Sequence, residues 1–200
     1  MSVRQFVRLS APGAALVALA AHPAAAHTGG AQTLGFAAGF LHPLAGLDHV
    51  LAMVAVGLMA AILGGRALLA VPGAFLGAML VGGTLGWLGA SLPLVEVAIV
   101  ASVIVLGGLV ASGRRMPVMM ATVLAATFGL FHGHAHGTEM TAAASALSYG
   151  LGFISATALL HAGGIGSARL ADWTAQSAGR AAVRMGGGAI AALGLVLVLV

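Results

Sequence analysis

Three of the chain's eight histidines and one of its four acidic residues fall within Phe131-His132-Gly133-His134-Ala135-His136-Gly137-Thr138-Glu139, in a sequence otherwise almost wholly apolar. On a helix turning about 100° per residue, His136 lies about 40° from His132, and Glu139 lies about 20° from it on the other side. These three side chains therefore form one stripe, and His134 points to the opposite face. Two imidazoles at i, i+4 can share one metal ion, and a carboxylate one turn further adds a hard oxygen ligand. The same residues would also suit a helix end whose histidines simply meet water.

A second polar group is His42-Pro43-Leu44-Ala45-Gly46-Leu47-Asp48-His49. Its histidines are about 10 Å apart if the segment is helical throughout, too far for one ion. Unwinding at Pro43 and Gly46 would bring them together; otherwise His42 is an outer station and Asp48 with His49 an inner one. Met53 follows His49 at i+4 on the same face and could offer a weak thioether, although a methionine there is more often simple packing. Glu96 is either an interfacial residue or a partner that orients a ligand histidine. His161 is either an exit ligand for a crossing ion or an interfacial histidine. Asp172 lies among arginines, where a solvated role is expected.

Hydrophobic residues make up 60% of the 200 and charged residues 6%, so the chain cannot present the polar surface of a soluble domain. It belongs in a membrane. There is no lysine, so all eight positive charges are arginine, and no basic face for nucleic acid is built. Cysteine is absent, which excludes disulfides, thiolate metal sites and cysteine nucleophiles. A metal here must be held by imidazole, carboxylate, backbone or thioether, a set that suits nickel, cobalt or zinc. Copper(I) would favour sulfur clusters, and the nine methionines form none.

The elements that must position these groups are helices. Arg4 and Arg8, the apolar run Ala11 to Ala21 and Ala24-Ala25-Ala26 read as a signal peptide over 1–26. Cleavage would leave His27 first, where its amine and imidazole can chelate a metal. The remaining 27–200 form a single domain. From Thr33 to Leu63 the chain is apolar for about 46 Å of helix, against a hydrocarbon core of about 30 Å. Pro43 is the expected interruption, leaving Ala31 to Leu41 as a short helix or re-entrant segment and Leu44 to Leu63 as the first span. Further spans are expected at about Ala67 to Gly89, Leu92 to Ser112, Pro117 to His136, Thr141 to Gly163 and Ala181 to Val200, with a polar loop from Gly163 to Arg180. The fold class is all-α, a six-helix transmembrane bundle whose abundant glycines suit close helix approach.

With the mature N-terminus outside, Arg66, Arg114, Arg115, Arg169, Arg180 and Arg184 all fall in or beside the three inner loops, as the positive-inside rule requires. Both histidine motifs then lie near the outer surface.

The pairing of HPLAGLDHVLAMVAVG (His42 to Gly57) with FHGHAHGTE (Phe131 to Glu139), followed by GFISATALLHAGGIG (Gly152 to Gly166), resembles the HupE/UreJ family of hydrogenase- and urease-associated membrane proteins. The first motif is also similar to the histidine, spacer, Asp-His signature of the wider nickel/cobalt transporters, with five spacer residues here. The resemblance implies a multi-pass permease of the bacterial inner membrane, with a periplasmic N-terminus. It would carry Ni²⁺ or Co²⁺ to hydrogenase, urease or cobalamin synthesis. His42, Asp48, His49, His132, His136 and Glu139 are the matching metal positions; His27, Glu96 and His161 are further candidates on the readings above. The ion is cargo, and no tightly bound cofactor is expected. The partners are the metal ion, the lipid bilayer and, as an open alternative, a second copy in a homo-oligomer. Two other classes remain open: an intramembrane metal-dependent enzyme, although H-E-x-x-H is absent, and a proton conductor using the histidines as relays.

Overall fold

The computed structural model describes residues 35–140 and 146–199, and the helices within them are α1 (Phe36–Ala45), α2 (Leu47–Leu63), α3 (Ala67–Trp87), α4 (Val95–Ser112), α5 (Val118–Glu139) and α6 (Ala146–Leu197). No strand occurs among the described residues. The signal peptide expected over 1–26, and His27 with it, lie outside them.

The first long apolar run is interrupted at Gly46 rather than Pro43. Pro43 is buried inside α1, and the chain turns extended at Gly46 (φ −96°, ψ 119°), bending α1 from α2 by 88°. A side chain at Gly46 would stand 2.8 Å from Asp48 Oδ1 and 2.9 Å from His49 Nδ1. A Cβ there would crowd the Asp48–His49 pair, which glycine leaves free to fold back over the break. The expected span starting at Leu44 is thus a bent pair whose second member starts at Leu47.

α3, α4, α5 and α6 are each long and apolar enough to cross a membrane, and α1 with α2 can make one further crossing together. α6 is broken at Gln176 (φ 39°, ψ −103°), which divides it into two arms. The arm after Gln176 is about 31 Å long, the length of a crossing of its own. The polar loop expected from Gly163 to Arg180 is mostly helix. Its Ser-Ala-Arg-Leu-Ala-Asp-Trp-Thr-Ala stretch contains no glycine or proline, so the first arm can continue with its polar residues exposed until Gln176. α5 likewise runs through Gly137 to Glu139, past the expected end at His136.

α2 forms the centre: from Ala52 to Ala60 only Val54 is not buried, as expected of a helix surrounded by others. The first arm of α6 packs parallel on α2, and the second arm packs antiparallel on α4. α3 and α5 run parallel in the closest pairing of the bundle. A Cβ on Gly129, Gly133 or Gly137 would collide with the carbonyl oxygen of Phe75, Met79 or Gly83 respectively. This stripe presses backbone against backbone and so sets the rotation of α5. Its histidines are turned to either side of the seam.

Candidate metal centre

With the glycine face of α5 against α3, His132 and His136 turn towards α1 and α2, and His134 turns to the α3–α4 connection. His134 is buried there, its Nε2 2.7 Å from the Ala90 carbonyl oxygen. A carbonyl only accepts, so Nε2–H donates, and His134 pins the loop. It stands apart from the other histidines, as the helical stripe predicts.

At the exposed end of the site, His42 Nε2 donates to Glu139 Oε2 at 2.8 Å, and His136 Nδ1 lies 3.9 Å from that oxygen. One ligand atom from each of His42, His136 and Glu139 falls within 4.8 Å of the others, the spacing of a metal-binding triplet. Glu139 is the most open of the three at 43% exposure, whereas His136 is 6% exposed.

From His136 the imidazoles continue inward. Its ring centroid is 4.6 Å from that of His42 and 4.4 Å from that of His49, and His49 in turn is 4.8 Å from His132. The break at Gly46 makes this possible: it lets His42 and His49 both border His136, where a straight helix would hold them two turns apart.

The hydrogen bonds determine which nitrogens hold lone pairs. Asp48 Oδ1 lies 2.7 Å from His49 Nδ1 and also accepts the His49 backbone N–H at 2.8 Å. A carboxylate oxygen can only accept, so His49 carries its hydrogen on Nδ1 and its lone pair on Nε2. That Nε2 is buried with no partner among the described residues. Asp48 thus orients a histidine, as partners of metal-ligating imidazoles commonly do.

His132 is arranged in the same way by a residue that sequence reasoning missed. Ser102 Oγ donates its one hydrogen to the Ile99 carbonyl at 2.6 Å, so it can only accept from His132 Nε2–H, 2.9 Å away. The lone pair of His132 then sits on Nδ1, also buried without a partner among the described residues. Ser102 lies on α4, and its sole signal in the sequence is that of a small polar residue within an apolar span. On His136 neither nitrogen has a hydrogen-bond partner among the described residues. Leaving such groups unsatisfied costs about 1–3 kcal/mol each, so the site sacrifices stability to keep lone pairs bare.

Two sequence candidates fall outside this file. Glu96, in the first turn of α4, is exposed and makes no hydrogen bond or ion pair among the described residues; it does not orient a histidine. His161 lies midway between Ala146 and Gln176 rather than at the end of a span, is 1% exposed, and stacks edge-on to Phe75. Met53 is fully buried in the apolar core, as its packing role predicts. Asp172 is exposed and accepts from Arg180 at 3.0 Å. Tyr149 and Phe153 of α6, not singled out by the sequence, close the site from the side, with ring centroids 5.9 Å from His42 and 4.1 Å from His136 respectively.

A family model described as HupE / UreJ protein matches residues 15–197. Protein HupE of Rhizobium leguminosarum bv. viciae is 44% identical over 182 residues, covering 90% of this chain and 94% of that protein. No solved structure matches.

Proposed function

The chain belongs to the HupE/UreJ family, and from that premise we propose that it is a transmembrane permease for Ni²⁺ or Co²⁺, supplying metal to hydrogenase, urease or cobalamin synthesis. The observation that carries this reading is the file of imidazoles from Glu139 and His42 through His136 and His49 to His132, which enters the bundle from its exposed end at Glu139 and His42 and ends at the fully buried His132. Ionisable groups inside a bilayer cost several kcal/mol or less only where they find partners or a path. Here the orienting hydrogen bonds leave lone pairs for a cation that accepts nitrogen and oxygen.

Glu139, with His42 and His136, captures the ion and strips part of its hydration. His136 borders both His42 and His49, so it can hand the ion inward by exchanging one ligand at a time. Successive sites of partial ligand sets keep binding weak enough for release. The histidine end faces the periplasm, because the arginines gather at the other end of the bundle.

Purified protein in liposomes loaded with a metal-sensitive dye tests the proposal. Ni²⁺ or Co²⁺ influx is expected. Peptide hydrolysis, or proton leak without metal, in place of influx would assign the chain to another class.

A further inference from the structure

Beyond His132 the file stops at an aromatic ring. Phe75 of α3 is fully buried and touches both histidines, its centroid 5.5 Å from the His132 ring and 5.2 Å from the His161 ring. Met79, one turn further on α3, is packed beside it and receives a weak hydrogen bond from Thr157 Oγ1 at 3.9 Å. His161 is enclosed, and neither of its ring nitrogens has a partner among the described residues. A buried imidazole with both nitrogens unpaired is a cost without return unless it serves a ligand.

The first arm of α6 presents Tyr149, Phe153, Thr157 and His161 one turn apart. Tyr149 meets His42, Phe153 meets His136, Thr157 meets Met79, and His161 meets Phe75. This face therefore follows the imidazole file from the exposed end and continues it past Phe75. Ala168, two turns beyond His161, lines a cleft of about 580 Å³ that also borders Ala61, Ile62 and Asp172 at the arginine end. His161 stands between an aromatic barrier and an opening.

We propose that His161 is an inner metal station and that Phe75 is the gate between it and His132, an ion passing only when the Phe75 ring swings aside. The inference rests on the permease reading and adds to it a closed state. Apolar constrictions gate by excluding water and ions, and a ring in a packed core moves between discrete rotamers rather than yielding continuously. His161 offers the ion a ligand at the moment His132 releases it.

The test uses the whole protein, with Co²⁺ as probe, in two assays: equilibrium binding in detergent and influx into liposomes. His161→Ala is expected to keep Co²⁺ binding at the outer histidines and to lose at least about tenfold of influx. Phe75→Leu, which keeps an apolar side chain without the ring, is expected to raise the initial rate severalfold. Phe75→Trp is expected to reduce it while outer binding persists. The chain lacks cysteine, so His161→Cys gives a readout independent of flux: Cd²⁺ added to intact protein should produce a thiolate-to-metal absorption band, absent from the parent chain. Wild-type influx in His161→Ala, or no band in His161→Cys, overturns the inner station. Unchanged rates in both Phe75 variants overturn the gate. Absence of influx in the parent chain overturns the permease reading itself, an outcome separate from these.

Discussion

His49 and His132 meet edge to face, ring centroids 4.8 Å apart and planes at 89°, and each is hydrogen-bonded through one nitrogen only, His49 to Asp48 and His132 to Ser102. The two partners sit on the far sides of the rings' chemistry: each holds a proton on one nitrogen so that the other keeps a lone pair. Ser102 is therefore as much a part of the site as any histidine.

Ser102→Ala should weaken Co²⁺ binding by about 10- to 100-fold, the usual effect of removing a partner that orients a metal-ligating histidine, while leaving the helical content unchanged. Titration followed by cobalt absorption measures it. Wild-type affinity in this variant would mean that the proton on His132 is not placed by Ser102.

Asp48→Asn retains the shape of the side chain but replaces an obligate acceptor by a group that can also donate. His49 is then no longer held as its Nδ1–H form. Metal affinity should fall by about 10-fold or more, and Asp48→Glu, with a longer reach across the Gly46 break, should not restore it. Equal affinity for Asn and Asp variants would remove the orienting role.

The two faces of α5 should respond differently. His132→Ala, His136→Ala and Glu139→Gln should each abolish nickel or cobalt uptake at near-normal protein levels. His134→Ala should preserve most uptake and cost about 1 kcal/mol of stability through the lost hydrogen bond to Ala90. Uptake assays paired with thermal unfolding in detergent separate these effects. Equal loss of uptake in His134→Ala would contradict its placement away from the file.

Gly133→Ala should destabilise the bundle by about 1–3 kcal/mol, the usual range for overpacking, because its Cβ would strike the Met79 carbonyl oxygen and push α3 from α5. Gly77→Ala and Gly108→Ala, whose added Cβ atoms meet nothing within 4 Å, should be neutral or slightly stabilising by helix propensity. Melting curves of the three variants decide whether close approach, rather than glycine content, holds the seam.

Cysteines placed at Ser91 or Thr138 should react with an impermeant reagent on intact cells, and one at Ser112 only after the membrane is opened. Labelling of Ser112→Cys from outside would reverse the orientation. Intact mass of the extracted protein should correspond to a chain starting at His27, and retention of Arg4 and Arg8 would refute the signal peptide.

The membrane class, the helical fold and the positions of most passes follow from sequence alone, because apolar length and arginine placement are local quantities set by the thickness of the bilayer. The stripe of His132, His136 and Glu139, with His134 opposite, follows in the same way from the pitch of one helix. Proline chemistry alone put the first break at Pro43, whereas the structure has it at Gly46, where the Asp48–His49 pair folds back over the chain. The polar stretch after Gly163 reads as a loop by composition, yet it remains helical until Gln176, since no glycine or proline occurs between Ser167 and Ala175. Tertiary structure alone decided that His136 borders both His42 and His49, that Ser102 orients His132, and that Phe75 packs against both His132 and His161. Each of these relationships joins different helices, and their distance and rotation depend on backbone contacts such as Gly133 on Met79, which no periodicity within a single segment encodes.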